Sequence, residues 1–510
     1  MGLQSDQAAS GGLSREGLRV APSFLLAGIV MGAGIQNLIL LPFLGFHAAV
    51  AVAALIPLLG IAVIVGRNTG PAGDWVTGRR FAICVAVAAA LFVLGGEGRF
   101  FYANTDWQVR DAVLNDMIRN DWPFAYTARG TAEILRAPIA MYLLPALVGK
   151  LAGLRAAELS MLAQNALFLG TILTLGSMLF RTGKARLIAL LVFLLFSGLD
   201  LLGQLIVDAG VVLDPRSHLE NWSKPLQFSS TITLAFWVPQ HALAGWCGAI
   251  LFLLRQRRMI PLAAFLTPLP LLALWSPLAL IGLLPFAAYA LAISLALRES
   301  RPRDLLLPAV SIALCLPALL YLQAGSGAVG MRFYPVPPLD YLRFQILELL
   351  PYAAPLLALS WRKGAERGPF LLATSALFIL PFVQIGTSSD LMMRGSIPAL
   401  AILAALTAEA LSGFRSGERR LMRASRGILV TALALGSITG AHEVARAVMV
   451  LPSPYPECSL LGVWRDSLEG ADTYVAALDA VPKPIRPANP AAVPLHEPAE
   501  CWSRSWLHPR

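Results

Sequence analysis

Residues 81–117 read FAICVAVAAALFVLGGEGRFFYANTDWQVRDAVLNDM. The first part is apolar enough to enter a bilayer; the second carries Asp106, Trp107, Arg110, Asp111 and Asp116. A lipid-embedded helix that opens directly into such a stretch is leaving hydrocarbon for water. The segment therefore divides the chain into a membrane part and a surface part. Composition agrees. Of 510 residues, 57% are hydrophobic and 14% charged, and the mean hydropathy is +0.66. Water-soluble domains carry about a quarter charged residues. Lipid must solvate most of this chain, which reads as an all-α polytopic membrane protein. The net charge of +10 would suggest nucleic acid in a soluble protein. Here the basic residues fall in short connections between apolar runs, where they act as topology signals, and no nucleic-acid partner is expected.

Apolar runs cover roughly 23–42, 46–66, 81–97, 157–180, 187–205, 232–254, 259–274, 277–297, 305–323, 341–360, 369–386, 396–413 and 427–449, about thirteen spans of the length a bilayer requires. Phe24–Leu41 is long for a signal peptide and is followed at once by another apolar run, so it reads as a retained helix. Basic clusters occupy every second connection: Arg67/Arg79/Arg80, Arg181/Lys184/Arg186, Arg255/Arg257/Arg258, Arg298/Arg301/Arg303, Arg362/Lys363/Arg367 and Arg415 to Arg426. Positive-inside bias puts these, with the N-terminal residues 1–22, in the cytoplasm. The opposite, outer face then holds 98–156, 206–231, 324–340, 387–395 and the tail 450–510. Pro138–Leu154 is apolar, but counting it as a span would invert the later basic loops. It reads as a helix in the outer interface. The proline-rich tail predicts little regular structure. Its Cys458 and Cys501 could pair in an oxidising compartment, whereas Cys84, Cys247 and Cys315 lie in apolar runs as small hydrophobes.

Asn104 or Thr105 can cap a helix starting at Asp106. Val109, Val113, Leu114, Met117 and Ile118 then share one side, as in an amphipathic helix lying on the leaflet with Asp111, Asp116 and Asp121 in water. Asp106 differs, because the first turn holds it near the head-group level. Other polar groups reach the same side. Trp237–His241, WVPQH, opens a span, and counting from Arg255 puts His241 about 20 Å from the cytoplasmic end. Pro239 frees a carbonyl there, while Gln240 and His241 avoid lipid by facing a cavity. Asp390 and Arg394 lie one turn apart at the start of another span, with Ser388 or Ser389 as cap; Arg394 suits an anionic ligand. The loop 213–230 adds Asp214, Arg216, His218, Glu220 and Lys224, and Arg332 adds a further cation. Asp200 and Gln204 end the span before that loop. Polar residues at span depth thus gather toward one leaflet, whereas a transporter more typically places them at the midplane.

Several motifs carry nothing. Gly325–Gly330, GSGAVG, follows a membrane span and no βαβ unit surrounds it. Asn221-Trp222-Ser223 is a bare glycosylation sequon. His442-Glu443 lacks a second histidine for zinc, and no phosphate-cradling Walker sequence is present.

The layout resembles the GT-C class of membrane glycosyltransferases, which includes protein mannosyltransferases and aminoarabinose transferases. GRFFYANTDWQVRDAVLNDM would begin the large outer loop of that class, with Asp106 at its acidic position. YLLPALVGKLAGLRAAE looks like the loop's second interfacial helix. Two spans precede the loop, and APIAMYLLPAL stands where the class has an HPPL-type segment. The resemblance implies transfer of a sugar from a polyprenyl-phosphate carrier to a glycan, lipid or protein acceptor outside the inner membrane. Asp106 would be the catalytic base, with Arg394, Asp390, His241, Gln240, Arg332, Lys224, Arg110 and Asp111 as substrate-binding candidates. No cofactor is required, and a divalent cation is left open. A lipid-linked glycan ligase or polymerase using a diphosphate carrier, and a transporter or flippase, remain alternatives.

Overall fold

The computed structural model describes residues 18–67, 75–207, 217–326, 330–360, 364–385, 389–413, 419–464, 472–493, 498 and 500–507. Asp214, Arg216 and Ser388 lie outside them. Of the described residues, 71% are helical. Helices α1 (Pro22–Phe43) and α2 (Ala48–Arg67) pack side by side. Helix α3 (Gly78–Leu94) ends at Gly95-Gly96, and a 3-10 turn, Glu97–Arg99, leads toward α4 (Asp106–Arg119). Gly96 has φ +96° and a Cβ there would stand 2.5 Å from the Ala103 Cβ, so only glycine reverses the chain here. Helices α5 (Ala140–Ala152) and α6 (Leu154–Ser177) follow. The next apolar runs are broken: α7 (Gly183–Leu195) with α8 (Asp200–Val207), α9 (Thr231–Trp237) with α10 (Pro239–Gln256), and α11 (Leu262–Leu266) with α12 (Pro268–Leu271). Helices α13 (Pro277–Ala296) and α14 (Arg303–Gln323) are continuous. Helices α15 (Pro338–Glu348) and α16 (Leu350–Ser360) meet at a bend of 58°. The chain continues through α17 (Gly364–Ile379), α18 (Asp390–Gly395), α19 (Ile397–Ser412), α20 (Arg420–Met449) and α21 (Leu460–Val463).

Each of the thirteen apolar runs is helical over at least part of its length. Among the described residues, eight helices are long and apolar enough to cross a membrane, nine if the bent pair is one span. Val52 and Ile56 on α2, Leu284 on α13 and Leu306 on α14 are more than half exposed, which suits a hydrocarbon solvent and not water. These features fit an all-α membrane protein. The run 369–386 departs from expectation: its helix stops and Pro381 leads into a strand. Helix α5 has 13 residues, about 20 Å, too short to cross a bilayer, and it packs on α1, α4 and α6.

Short strands decorate the bundle. β1 (Arg19–Val20) pairs antiparallel with β2 (Val76–Thr77). β3 (Phe124–Tyr126) pairs antiparallel with β4 (Glu133–Leu135), and β5 (Met331–Phe333) with β6 (Val383–Ile385). β7 (Val475–Ala477) and β8 (Ala491–Val493), both from the tail, extend the β3–β4 pair into a sheet of order β7-β4-β3-β8. The expectation of an irregular tail is therefore corrected. The tail folds onto the 98–156 loop, whose hairpin offers two open edges, and a Cys458–Cys501 disulfide closes it. This cap also corrects the reading of α4 as a surface helix. Asp111 and Asp116 are buried, because α5 and the tail cover the faces expected to meet water. Asp116 Oδ2 accepts hydrogen bonds from Tyr126 Oη–H at 2.7 Å and from the Leu460 N–H at 2.8 Å. Asp121 is exposed.

Candidate functional site

The site starts from a break in a helix. Val238 takes φ −138° and ψ 52°, and Pro239 offers no N–H, so α9 cannot continue into α10. The Phe236 carbonyl left at the break accepts from Asn104 Nδ2 at 2.7 Å and Trp107 Nε1 at 2.8 Å. Asn104 Oδ1 also accepts from the Asp106 N–H at 3.0 Å, making it the side chain that caps α4. The start of α4 is thereby bolted to the last turn of α9, at the break before α10.

One turn along α4, Arg110 is buried. Its guanidinium donates to Gln240 Oε1, lies 3.4 Å from the Tyr142 hydroxyl and is 3.7 Å from Asp106. The Asp106 side chain is 46% exposed, so this pair is half open to solvent. Arg110 Nε is buried with no hydrogen-bond partner. His241, next to Gln240, places Nδ1 2.8 Å from Ser276 Oγ. That oxygen accepts the Ala279 N–H at 3.1 Å, capping α13, so its own proton can go to Nδ1 and leave Nε2 as the N–H.

A second aspartate–arginine pair comes from α18, where Arg394 contacts Asp390 one turn earlier. Helix α18 lies directly on α13: a Cβ at Gly282 would stand 2.1 Å from the Gly395 carbonyl oxygen. Arg394 Nε, like Arg110 Nε, is buried without a hydrogen-bond partner. Arg394 and Arg110 both act electrostatically on His241. Tyr474 stands in the field of Arg110, Asp106, Arg394 and Asp390 together. Burial pushes the Tyr474 and Tyr142 phenols up, so both remain donors at neutral pH. The structure thus gathers Asp106, Arg110, Gln240, His241, Asp390 and Arg394, and adds Tyr142 and Tyr474.

Three other candidates sit elsewhere. Asp111 Oδ2 pairs with Arg99 Nη2 at 2.9 Å, and Arg99 also binds Glu158 and the Ser453 and Pro454 carbonyls and stacks on Tyr455. Burial pushes the Asp111 carboxyl up to about 7 despite Arg99, because one guanidinium faces two buried carboxylates. Arg332 lies in the β5–β6 pair, and Lys224 is exposed beside Pro225. A further buried cluster joins Asp200, held by Ser197 and Thr439, to Glu348 and Trp222. His218 Nδ1 contacts Glu443 at 3.1 Å, with Glu220 3.7 Å from Nε2. Burial opposes protonation of His218, but the Glu443 hydrogen bond and the Glu220 charge outweigh it and hold the imidazole above its ordinary value. Among the described residues no group of three or more His, Cys, Asp or Glu side chains is arranged to hold a metal ion.

Sequence reasoning missed Tyr474 and Arg99. Tyr474 reaches the site through pairing of β4 with β7, seen in the Arg136 N–H to Tyr474 carbonyl bond of 2.6 Å, a contact between residues far apart in the chain. Compared with protein-family models, curated proteins and solved structures, the chain matches none.

Proposed function

We propose that the chain is a membrane glycosyltransferase of the GT-C kind, with about thirteen crossings of the inner membrane, a cytoplasmic N-terminus and its capped end outside. It would move a sugar from a polyprenyl-phosphate carrier to an acceptor hydroxyl. The observation that carries this reading is the meeting of a half-exposed carboxylate, Asp106, with two buried, incompletely bonded guanidiniums, Arg110 and Arg394, around His241. In the reaction the acceptor O–H gives its proton to Asp106 while its oxygen bonds the sugar C1. The bond from C1 to the phosphate oxygen breaks, and the phosphate leaves with the electron pair. Negative charge grows on that phosphate, and Arg110, Arg394 and the phenols of Tyr142 and Tyr474 would meet it. A carrier phosphate is already activated, so the step needs no nucleotide. The disulfide in the cap supports an oxidising location for this end.

The test is transfer by purified protein with a polyprenyl-phosphate sugar. Asp106→Asn should lower turnover by about 10²–10⁴-fold, the usual weight of a general base. Wild-type turnover in the folded variant rules the role out. The Asp200–Glu348 contact, buried inside the bundle, favours a second reading as a transporter or flippase. Cysteine labelling separates the two: access from one face only fits the enzyme, and switching access fits transport. Release of a lipid diphosphate, not a monophosphate, would move the assignment to a ligase or polymerase.

A further inference from the structure

A cavity of about 210 Å³ lies beside the candidate site, between the β5–β6 pair, the loop before α9 and the start of α18. Arg332, Tyr334, Gln384 and Ser389 supply its polar lining; the remaining walls, such as Leu226 and Met392, are apolar. Among the described residues no acidic side chain lines it. Arg332 is oriented before any ligand arrives, because its Nε donates to Gln384 Oε1 at 3.0 Å. Gln384 is itself buried on β6, across the strand pair from Arg332. The two terminal nitrogens of Arg332 bond none of the described residues. They form a planar fork at the cavity, the geometry that binds two oxygens of one phosphate or carboxylate.

The site is separate from the Asp106–Arg110 cluster. Met392 lines the cavity and Arg394 belongs to the cluster; two residues apart on α18, they leave the helix on opposite sides. The surroundings identify the ligand. On the strand that carries Arg332, Met331 and Phe333 are 75% and 72% exposed on the other face, where hydrocarbon suits them and water does not. The volume corresponds to about seven waters at 30 Å³ each, room for a phosphate and the first atoms of its chain.

We propose that this cavity is a second anion site, with Arg332 clamping the phosphate head group of a membrane lipid while the lipid's apolar chain leaves along Leu226, Val383 and Met392 toward Met331 and Phe333. The proposal rests on the membrane reading but not on glycosyl transfer.

The test is equilibrium binding of farnesyl phosphate to the full chain in nanodiscs, reading affinity and stoichiometry, with farnesol and inorganic phosphate as comparators. Farnesyl phosphate should bind, farnesol should not, and inorganic phosphate should bind more weakly. Arg332→Gln should remove one binding event or weaken it at least about tenfold, the loss expected for one charge-assisted fork, and Arg332→Lys should restore part of it. A protein without transferase activity that still shows Arg332-dependent binding keeps this inference and loses the transfer reading. Unchanged affinity and stoichiometry in Arg332→Gln overturn it, as does farnesol binding equal to farnesyl phosphate. Inorganic phosphate matching farnesyl phosphate overturns the lipid assignment.

Discussion

Helix α4 carries two aspartates that meet arginines, and the two pairs behave differently. Asp111 and Arg99 are each 9% exposed in the side chain, and Arg99 is saturated by Glu158, two tail carbonyls and the Tyr455 ring. Asp106 is half open, and Arg110 keeps an unbonded Nε. The residue types are the same; the number of partners and the access of solvent differ. A saturated pair has nothing left to offer a ligand and serves to hold the tail on α4. An unsaturated pair costs stability to bury and is worth that cost only when something binds it.

The contrast can be broken by swapping losses between the pairs. Arg99→Met strands the buried Asp111 and leaves buried Glu158 only the more distant Arg155, and should lower unfolding stability by about 3–5 kcal/mol in detergent denaturation. Arg110→Met strands the half-exposed Asp106 and one buried neutral acceptor, Gln240 Oε1, and should lower it by about 1–3 kcal/mol, less than Arg99→Met; equal losses would erase the distinction. In the transfer assay the order reverses. Arg110→Gln should slow turnover by about 10²–10³-fold, as loss of a donor to growing charge does, whether or not its melting point moves. Replacing Cys458 and Cys501 with serine should cost about 2–4 kcal/mol and expose the tail to protease. Dithiothreitol should reproduce that shift in the wild type and leave the double variant unchanged.

The smallest effect is with pH. Asp111 titrates at about 7 in the folded protein, above an unfolded value of about 3.9. The folded state therefore holds a proton that the unfolded chain has released. That contribution is complete below pH about 4 and is lost as pH rises to about 7. Acidification from pH 7.5 to 5.5 should raise the melting temperature of the wild type more than that of Asp111→Asn. An identical response in the two proteins would remove Asp111 from the account.

Much of the layout was legible because depth in a membrane is set by counting along the chain. Asp106, His241, Asp390 and Arg394 each fall near an end of an apolar run, so their gathering in one region could be expected from local sequence. The cap at Asn104 and the break at Pro239 are likewise local chemistry. The cap over α4 was not legible. Its strands hold three residues each, too few for an alternating pattern, and they pair across several hundred residues. Without that cover, Asp111 and Asp116 look like ordinary solvated acids. Arg99, at the end of an apolar run, looks like a snorkelling terminus.

The order of the chain gives the β4–β7 pairing a consequence for biosynthesis. Every long helix of the bundle precedes residue 450, whereas Tyr474 and the second disulfide cysteine follow it. As the ribosome delivers this protein, the membrane part threads first with its Asp106–Arg110 pair uncovered, and the lid arrives last. A nascent polypeptide at that stage lacks Tyr474, and the Cys458–Cys501 bond can close only once translation has passed Cys501.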